Sequence, residues 1–389
     1  MDRQQLAAAF RKTYGAEAKD FFFSPSRINL IGEHIDYNGG HVLPAAIGMG
    51  TYAAVRPNAE GLLRLASANQ EEVYSYKFQD LPDYSPELGW SAYVIGVIKA
   101  LERRGIQTGP VDIYVAGNIP VASGLSSSAS LELLVSVIMD GLYNGGQADP
   151  IQRVLAGQDC ENHYMGLLTG IMDQFAIGMG RQERAMHLDC ASLDYRYVPL
   201  ELGGETLLVI NSRKPRRLVE SKYNERVGEC REILDRLQER WRDLQHICEL
   251  GMGRLEEGLA LFAGEDKLQR RLRHCVTEEA RVAEALEVLE ARDWVGLGRL
   301  LRASHASLRD DYEVTGAEMD SIAARANASA ACYGARMCGA GFGGCAIALL
   351  RAGTDVEAFC TDLLRAYHED TGLEGEAFPV TAAQGAGRY

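Results

Sequence analysis

Pro120-Val121-Ala122-Ser123-Gly124-Leu125-Ser126-Ser127-Ser128-Ala129-Ser130 lies between a strand-like apolar run at 111–116 and a helical apolar pattern at 131–143. Small residues and hydroxyls at a strand-to-helix junction let backbone N–H groups close on an anion. The helix dipole turns its positive end to the same point. The segment reads as a cradle for phosphate. The plain alternative is a Ser-rich N-cap, yet capping needs one hydroxyl and this stretch offers five serines beside a glycine. Other phosphate-binding devices are missing: the sequence has no Gly-Lys dipeptide, which excludes the P-loop, and no His-Arg-Asp or Asp-Phe-Gly.

Outward from this junction the first half mixes strands and helices. Residues 21–23, 50–55 and 111–116 read as strands, 91–103 and 131–143 as helices, and Asn38-Gly39 as a tight turn between strand-like pieces. A strand pattern at 189–200 is followed by Gly203-Gly204 and an apolar run at 206–210. The boundary is placed there, dividing the chain into 1–202 and 203–389. From 219 to 324 apolar residues recur every three and four positions with charges between them, the mark of amphipathic helices with solvated faces. The chain end returns to mixed structure, with a buried strand at 345–350, a helix at 356–368 and a short strand at 378–382.

With 389 residues, 47% of them hydrophobic, the chain can fill two medium cores. A formal charge of -14 weighs against nucleic acid and anionic membrane as partners and favours small molecules. Nine cysteines without a Cys-x-x-Cys pair or metal-ligand spacing read as reduced, mostly buried thiols. The first residues lack a signal-peptide core, and no apolar run is long enough to span a bilayer, so a cytoplasmic protein is expected.

Three further constellations carry chemistry. Residues 24–40 place Arg27, Glu33, His34 and Asp36 within ten positions; carboxylates with a His suit a metal or the vicinal hydroxyls of a sugar, and a salt-bridged turn is the bland alternative. The spacing fits no zinc pattern and offers few oxygens for a hard cation. At 161–175, Asp173 stands among Ile171, Met172 and Phe175, a costly place for a carboxylate unless it is paired, functional or capping a helix. Gly339-Ala340-Gly341-Phe342-Gly343-Gly344 satisfies G-x-G-x-x-G, but with a strand after it rather than a helix; it reads as a loop allowing close backbone approach, or as a turn between helix and strand.

Together these motifs resemble the galactokinases, within the family that also holds homoserine, mevalonate and phosphomevalonate kinases (the GHMP kinases). Residues 27–40 resemble the galactokinase signature, 120–130 the family's phosphate loop and 334–344 its glycine-rich third motif. Gly170-Ile171-Met172-Asp173-Gln174-Phe175 and Ser221-Lys222-Tyr223-Asn224-Glu225-Arg226 extend the likeness. Departures are mild: Ser26 where Gly is usual, Ile35 where Thr is usual, and Thr169 and Cys338 where Cys and Thr are common.

The resemblance implies an α+β fold of two lobes, the first like the second domain of ribosomal protein S5 and the second ferredoxin-like with added helices. It implies transfer of the γ-phosphoryl group of ATP to the anomeric hydroxyl of α-D-galactose, a step of galactose metabolism. Arg27 and Asp173 would flank that hydroxyl, and Glu33, His34, Asp36, Gly170, Asp173 and Tyr223 would surround the sugar. Gly124, Leu125, Ser126, Ser127 and Ser128 would hold the phosphates, Ser128 and Glu161 would hold Mg²⁺, and Trp90 with Tyr93 would lie near the adenine. A helix-face packing role for Trp90 and Tyr93 is the alternative. The rival activities are phosphorylation of N-acetylgalactosamine or another sugar, and a non-catalytic galactose sensor on the same fold. The expected form is a monomer. The basic cluster Arg213, Lys214, Arg216 and Arg217 is expected to add at most a minor attraction for nucleotide.

Overall fold

The structure, a computed structural model, describes residues 2–120, 123–215 and 219–389, with the side chains of 219–221 left aside. Val121 and Ala122 of the serine-rich stretch, and Arg216 and Arg217 of the basic cluster, lie outside the described residues.

The first elements are α1 (Arg3–Tyr14), β1 (Asp20–Asn29), β2 (His41–Val42), β3 (Pro44–Pro57), β4 (Leu62–Ser67), β5 (Gln70–Lys77), α2 (Ser91–Arg103) and β6 (Val111–Gly117). They are followed by α3 (Ser127–Tyr143), α4 (Pro150–Asp159), α5 (Met172–Met179), β7 (Arg184–Asp189) and β8 (Tyr195–Pro199). The second half runs through β9 (Thr206–Asn211), α6 (Val219–Arg240), α7 (Gly251–Ala260), α8 (Asp266–Glu290), α9 (Trp294–Asp310) and α10 (Ala317–Ala328). It ends with β10 (Cys332–Cys338), β11 (Cys345–Leu350), α11 (Val356–Thr371), β12 (Glu376–Val380) and β13 (Gly387–Arg388).

The larger sheet has the order β13-β1-β3-β6-β4-β5, antiparallel except for the parallel pair β4 and β6. The second sheet, β10-β11-β9-β12, is antiparallel throughout, and β2-β7-β8 form a small third one. Every residue of β11 is buried, as its unbroken run Cys-Ala-Ile-Ala-Leu-Leu requires of a central strand covered on both faces. One continuous apolar core joins Ile28 and Leu30 of the first half to Val209, Leu308 and Ile347 of the second, so the groups held between the two sheets rest on a shared support.

Three local expectations are corrected. The strand pattern at 189–200 is a hairpin of β7 and β8: the Asp189 carboxylate accepts N–H groups from Ala191 and Ser192, and Leu193 takes φ +65°, which reverses the chain. The Asn38-Gly39 turn is a 3₁₀ turn over Asp36–Asn38, closed by Gly39 at φ +68°. The glycine loop at 339–344 is preceded by a strand, β10, and joins it to β11. Gly334 and Arg336 disguise β10 in the sequence. Gly334 is there because a Cβ would meet the Gly298 carbonyl oxygen at 2.2 Å, and Arg336 is fully buried.

Candidate active site

A cavity of about 290 Å³ opens between the serine-rich turn, the 33–36 turn, the 167–174 segment and the glycine hairpin. Arg27, Glu33, His34, Asp36, Gly124, Ser126, Ser127, Ser128, Glu161, Gly170, Asp173 and Tyr223 all line it. Leu125 does not; it is buried in the core, where its carbonyl accepts from the Ser26 hydroxyl and anchors the turn from behind. Trp90 and Tyr93 are not brought to this cavity. Trp90 stands at the start of α2, edge-on to Tyr74 at 5.8 Å, and its indole Nε1 is buried without a hydrogen-bond partner among the described residues.

At the floor the Arg27 guanidinium grips Asp173 with two bonds, Nε to Oδ1 at 2.6 Å and Nη2 to Oδ2 at 2.9 Å. Its third arm, Nη1, donates to the Gly124 carbonyl at 3.1 Å. The Arg27 side chain is 4% exposed and that of Asp173 30%, so the pair shows its carboxylate face to the cavity. Burial alone would lower the Arg27 pKa; Asp173 outweighs it and the net direction is upward. Ser126 precedes α3 in a left-handed conformation, φ +54°, and makes no capping bond. Its hydroxyl instead donates to Asp173, which sets aside the plain N-cap reading for this residue. Gly339 of the hairpin packs on the same turn: a Cβ there would lie 3.0 Å from the Gly124 carbonyl oxygen, the close approach its φ of +88° permits.

The 33–36 turn is held from the second half of the chain. Glu33, 1% exposed, accepts from the Gly339 N–H at 2.7 Å, from Asn29 Nδ2 at 3.0 Å and from Arg336 at 3.3 Å. Its carbonyl accepts from His274 Nε2 at 3.0 Å, and Glu278 accepts the Gly32 N–H at 3.0 Å. His34 faces the cavity with both ring nitrogens engaged. Nε2 donates to the Ala340 carbonyl at 3.2 Å, so Nδ1 accepts from the Tyr37 hydroxyl at 2.9 Å. Burial, with His274 next in weight, pulls its pKa down to about 3, and the ring is neutral at physiological pH. Asp36 is closed over by Gly170, where a Cβ would stand 1.8 Å from Oδ2; no other residue type fits there without displacing the carboxylate.

On the opposite wall Glu161 contacts Ser128, Thr169 and Gln174, and burial pushes its pKa up. Gln174 Nε2 bridges it to Glu132, at 3.1 Å and 2.9 Å. Glu132, fully buried on α3, was missed in the sequence, although a carboxylate inside the apolar run Leu131 to Leu134 is the same signal that singled out Asp173. Of the basic cluster, Arg213 pairs with Glu376, and Lys214 pairs with Glu318 at 2.7 Å.

A strand, serine-rich turn and helix thus face a glycine hairpin across a guanidinium-held carboxylate. Residues 92–181 match the GHMP kinases N terminal domain, 284–369 the GHMP kinases C terminal family, and 8–57 the galactokinase galactose-binding signature. The chain is 43% identical to the galactokinase of Exiguobacterium sibiricum (99% of this chain, 98% of the relative). It is 44% identical to that of Streptococcus thermophilus (100% and 99%). A crystal structure of Lactococcus lactis galactokinase complexed with galactose superposes with a TM-score of 0.95, at 43% identity and 99% coverage of both chains. A mevalonate kinase structure, 18% identical with a TM-score of 0.66 and covering 93% of this chain and 99% of that one, shares the fold. The chain belongs to the galactokinase family. It is an enzyme, and ATP is the co-substrate of its family. Among the described residues no helix is long and apolar enough to cross a membrane.

Proposed function

We propose that the chain transfers the γ-phosphoryl group of ATP to the anomeric hydroxyl of α-D-galactose, giving galactose 1-phosphate and ADP. The observation that carries this is the convergence on one cavity of the Arg27–Asp173 pair and the serine-rich turn at the start of α3. Phosphoryl transfer asks a protein for positioning and charge neutralisation more than for covalent chemistry. Backbone N–H groups of 124–128 and the α3 dipole receive the phosphates. Asp173 accepts the proton of the anomeric hydroxyl or orients it for attack, and Arg27 holds that carboxylate and offsets charge on the transferring group. Glu33 and Asp36 accept from sugar hydroxyls. Neutral His34, both nitrogens taken, shapes the wall, as do Gly170 and Tyr223.

Ser128 and Glu161 are the residues that would hold Mg²⁺. A hydroxyl touching a buried carboxylate that has no cationic partner among the described ion pairs is an all-oxygen donor set, suited to a hard cation that keeps water and phosphate oxygens as its other ligands. Bound there, Mg²⁺ supplies positive charge against the phosphates. Trp90, with its spare indole donor, and Tyr93 mark the side of the N-terminal sheet proposed for adenine.

The test is ADP release from ATP and Mg²⁺ over a panel of free sugars. Galactose should be fastest; preference for N-acetylgalactosamine, or galactose binding without turnover, would displace this reading. A pH effect follows from Asp36. Burial, then the neighbouring Asp173 and Glu33, pushes its carboxyl up to about 7. The ionised acceptor form is therefore lost as pH falls through 7, and from about pH 8 to about pH 6 its fraction drops about tenfold. The galactose dissociation constant, measured without nucleotide, should rise by about that factor over this range, and Asp36→Asn should flatten the profile. A flat profile in the parent removes Asp36 from the set of acceptors.

A further inference from the structure

The wall of the sugar cavity that carries Gly170 is thin. Residues 165–171 form no helix or strand, and Leu168 and Thr169 line both the main cavity and a second one of about 150 Å³ behind it. Tyr37, Cys230 and Ile247 also line that second space, so the segment borders two cavities where most backbone has packed side chains. Yet it must sit accurately, because Gly170 closes over the Asp36 carboxylate with no room for a Cβ, and its backbone also meets the Tyr223 hydroxyl.

The largest share of its side-chain hydrogen bonds comes from one amide. Helix α4 continues into a π-helical turn over Cys160–Tyr164, a local widening that brings Glu161 and Asn162 round to this wall. Asn162 Oδ1 accepts from the Thr169 N–H at 2.9 Å and from the Thr169 hydroxyl at 3.0 Å, while Asn162 Nδ2 donates to the Thr169 carbonyl at 3.1 Å. Two weaker ties join it: a bond from Gln158 Nε2 to the same carbonyl, at 3.3 Å, and the contact of the Thr169 hydroxyl with Glu161. Asn162 thus satisfies donor and acceptor of one peptide position together with its side chain, with an amide that borders the second cavity rather than the first.

We infer that Asn162 is a positioning residue for the sugar: it holds Thr169 and Gly170 against Asp36, and so sets galactose affinity without touching galactose. This rests on the reading that the sugar occupies the larger cavity. Galactose affinity then depends on a residue one position from a nucleotide-side group, Glu161, while phosphate binding on the 124–128 turn is left intact.

The experiment is galactose binding by calorimetry without nucleotide, with steady-state kinetics and melting curves, on the full chain. Three lost hydrogen bonds lead to an expected rise of about 10- to 100-fold in the galactose dissociation constant for Asn162→Ala. The KM for galactose should follow it, while the KM for ATP and kcat at saturating galactose stay within about threefold. Thr169→Val, which removes the hydroxyl's bond to Asn162 together with its contact to Glu161, should raise the dissociation constant about threefold in the parent and add little in the Asn162→Ala background, since coupled residues are not additive. A purely structural role lowers the melting temperature and leaves galactose affinity of the folded protein unchanged, and that result overturns the inference. Should Asn162→Ala not fold, an unchanged affinity in Thr169→Val overturns it as well. Asp36→Ala separates the two levels: if it weakens galactose and Asn162→Ala does not, the positioning role fails alone; if neither does, the placement of the sugar fails.

Discussion

Asp173→Asn should bind galactose and melt within a few degrees of the parent, while kcat falls by about 10²- to 10⁴-fold, the range that a positioned proton acceptor supplies. The substitution keeps the shape of the side chain and one oxygen for the Arg27 fork, so Arg27 is not left alone in the interior. Loss of the second charged bond costs about 1–3 kcal/mol, which in a chain of this length moves the melting temperature by only about 1–4 °C. What is lost is the carboxylate that faces the cavity with 30% of its side chain exposed. Galactose-dependent ADP release per folded molecule, measured beside galactose affinity and a melting curve, distinguishes the outcomes. Retention of most of the specific activity would remove Asp173 from the chemistry. A collapse in folded yield with normal specific rate would make it a structural carboxylate.

Arg336→Met should be the most destabilising single change among the groups around the site. Arg336 is fully buried and donates to the Leu30 carbonyl at 2.7 Å, to the Asn29 carbonyl and to its neighbour Met337 at 2.7 Å, with Glu33 at 3.3 Å. Among the described ion pairs it is the one cation beside Glu33, which is itself buried. Methionine fills the volume but takes a donor from one carboxylate and three carbonyls, and breaking a buried pair by removing one partner costs about 3–5 kcal/mol. The melting temperature should drop by about 4–6 °C, and galactose affinity should fall because the backbone of 29–33 loses the charged part of its tether to β10, keeping only the contacts of Asn29 with Cys338. Arg336→Lys, which restores charge but not the fork, should recover only part of either loss. A Met variant with parental melting and affinity would mean that Gly339, Asn29, His274 and Glu278 hold the turn without Arg336.

The parts legible in the sequence are those written in local spacing. Five serines after a strand pattern mark the serine-rich turn that lines the cavity, and an Arg, two carboxylates and a His in ten residues mark the 27–36 segment. The cost of a carboxylate among Ile171, Met172 and Phe175 pointed to Asp173, and the structure shows the pairing that offsets it. The same reasoning applied to Glu132 would have found the Gln174-bridged pair. Arg336, His274 and Glu278 could not be reached that way. Each acts on residues 29–33 from about 240 to 310 positions away in sequence, and no local pattern records such a contact. Asn162 was hidden for another reason: its partner Thr169 is near in sequence, but only the π-helical turn brings the amide round to it. Strand β10 was hidden by a glycine and a buried arginine, each placed there by a neighbour from another element.

The most direct measurement is the identity of the product. Galactose incubated with ATP, Mg²⁺ and the purified chain should give a single new phosphomonoester whose phosphorus couples to the anomeric proton of the α-sugar, in equal amount to ADP. Phosphate at another hydroxyl, or ADP formed without a sugar phosphate, would contradict the placement of the anomeric oxygen beside Asp173.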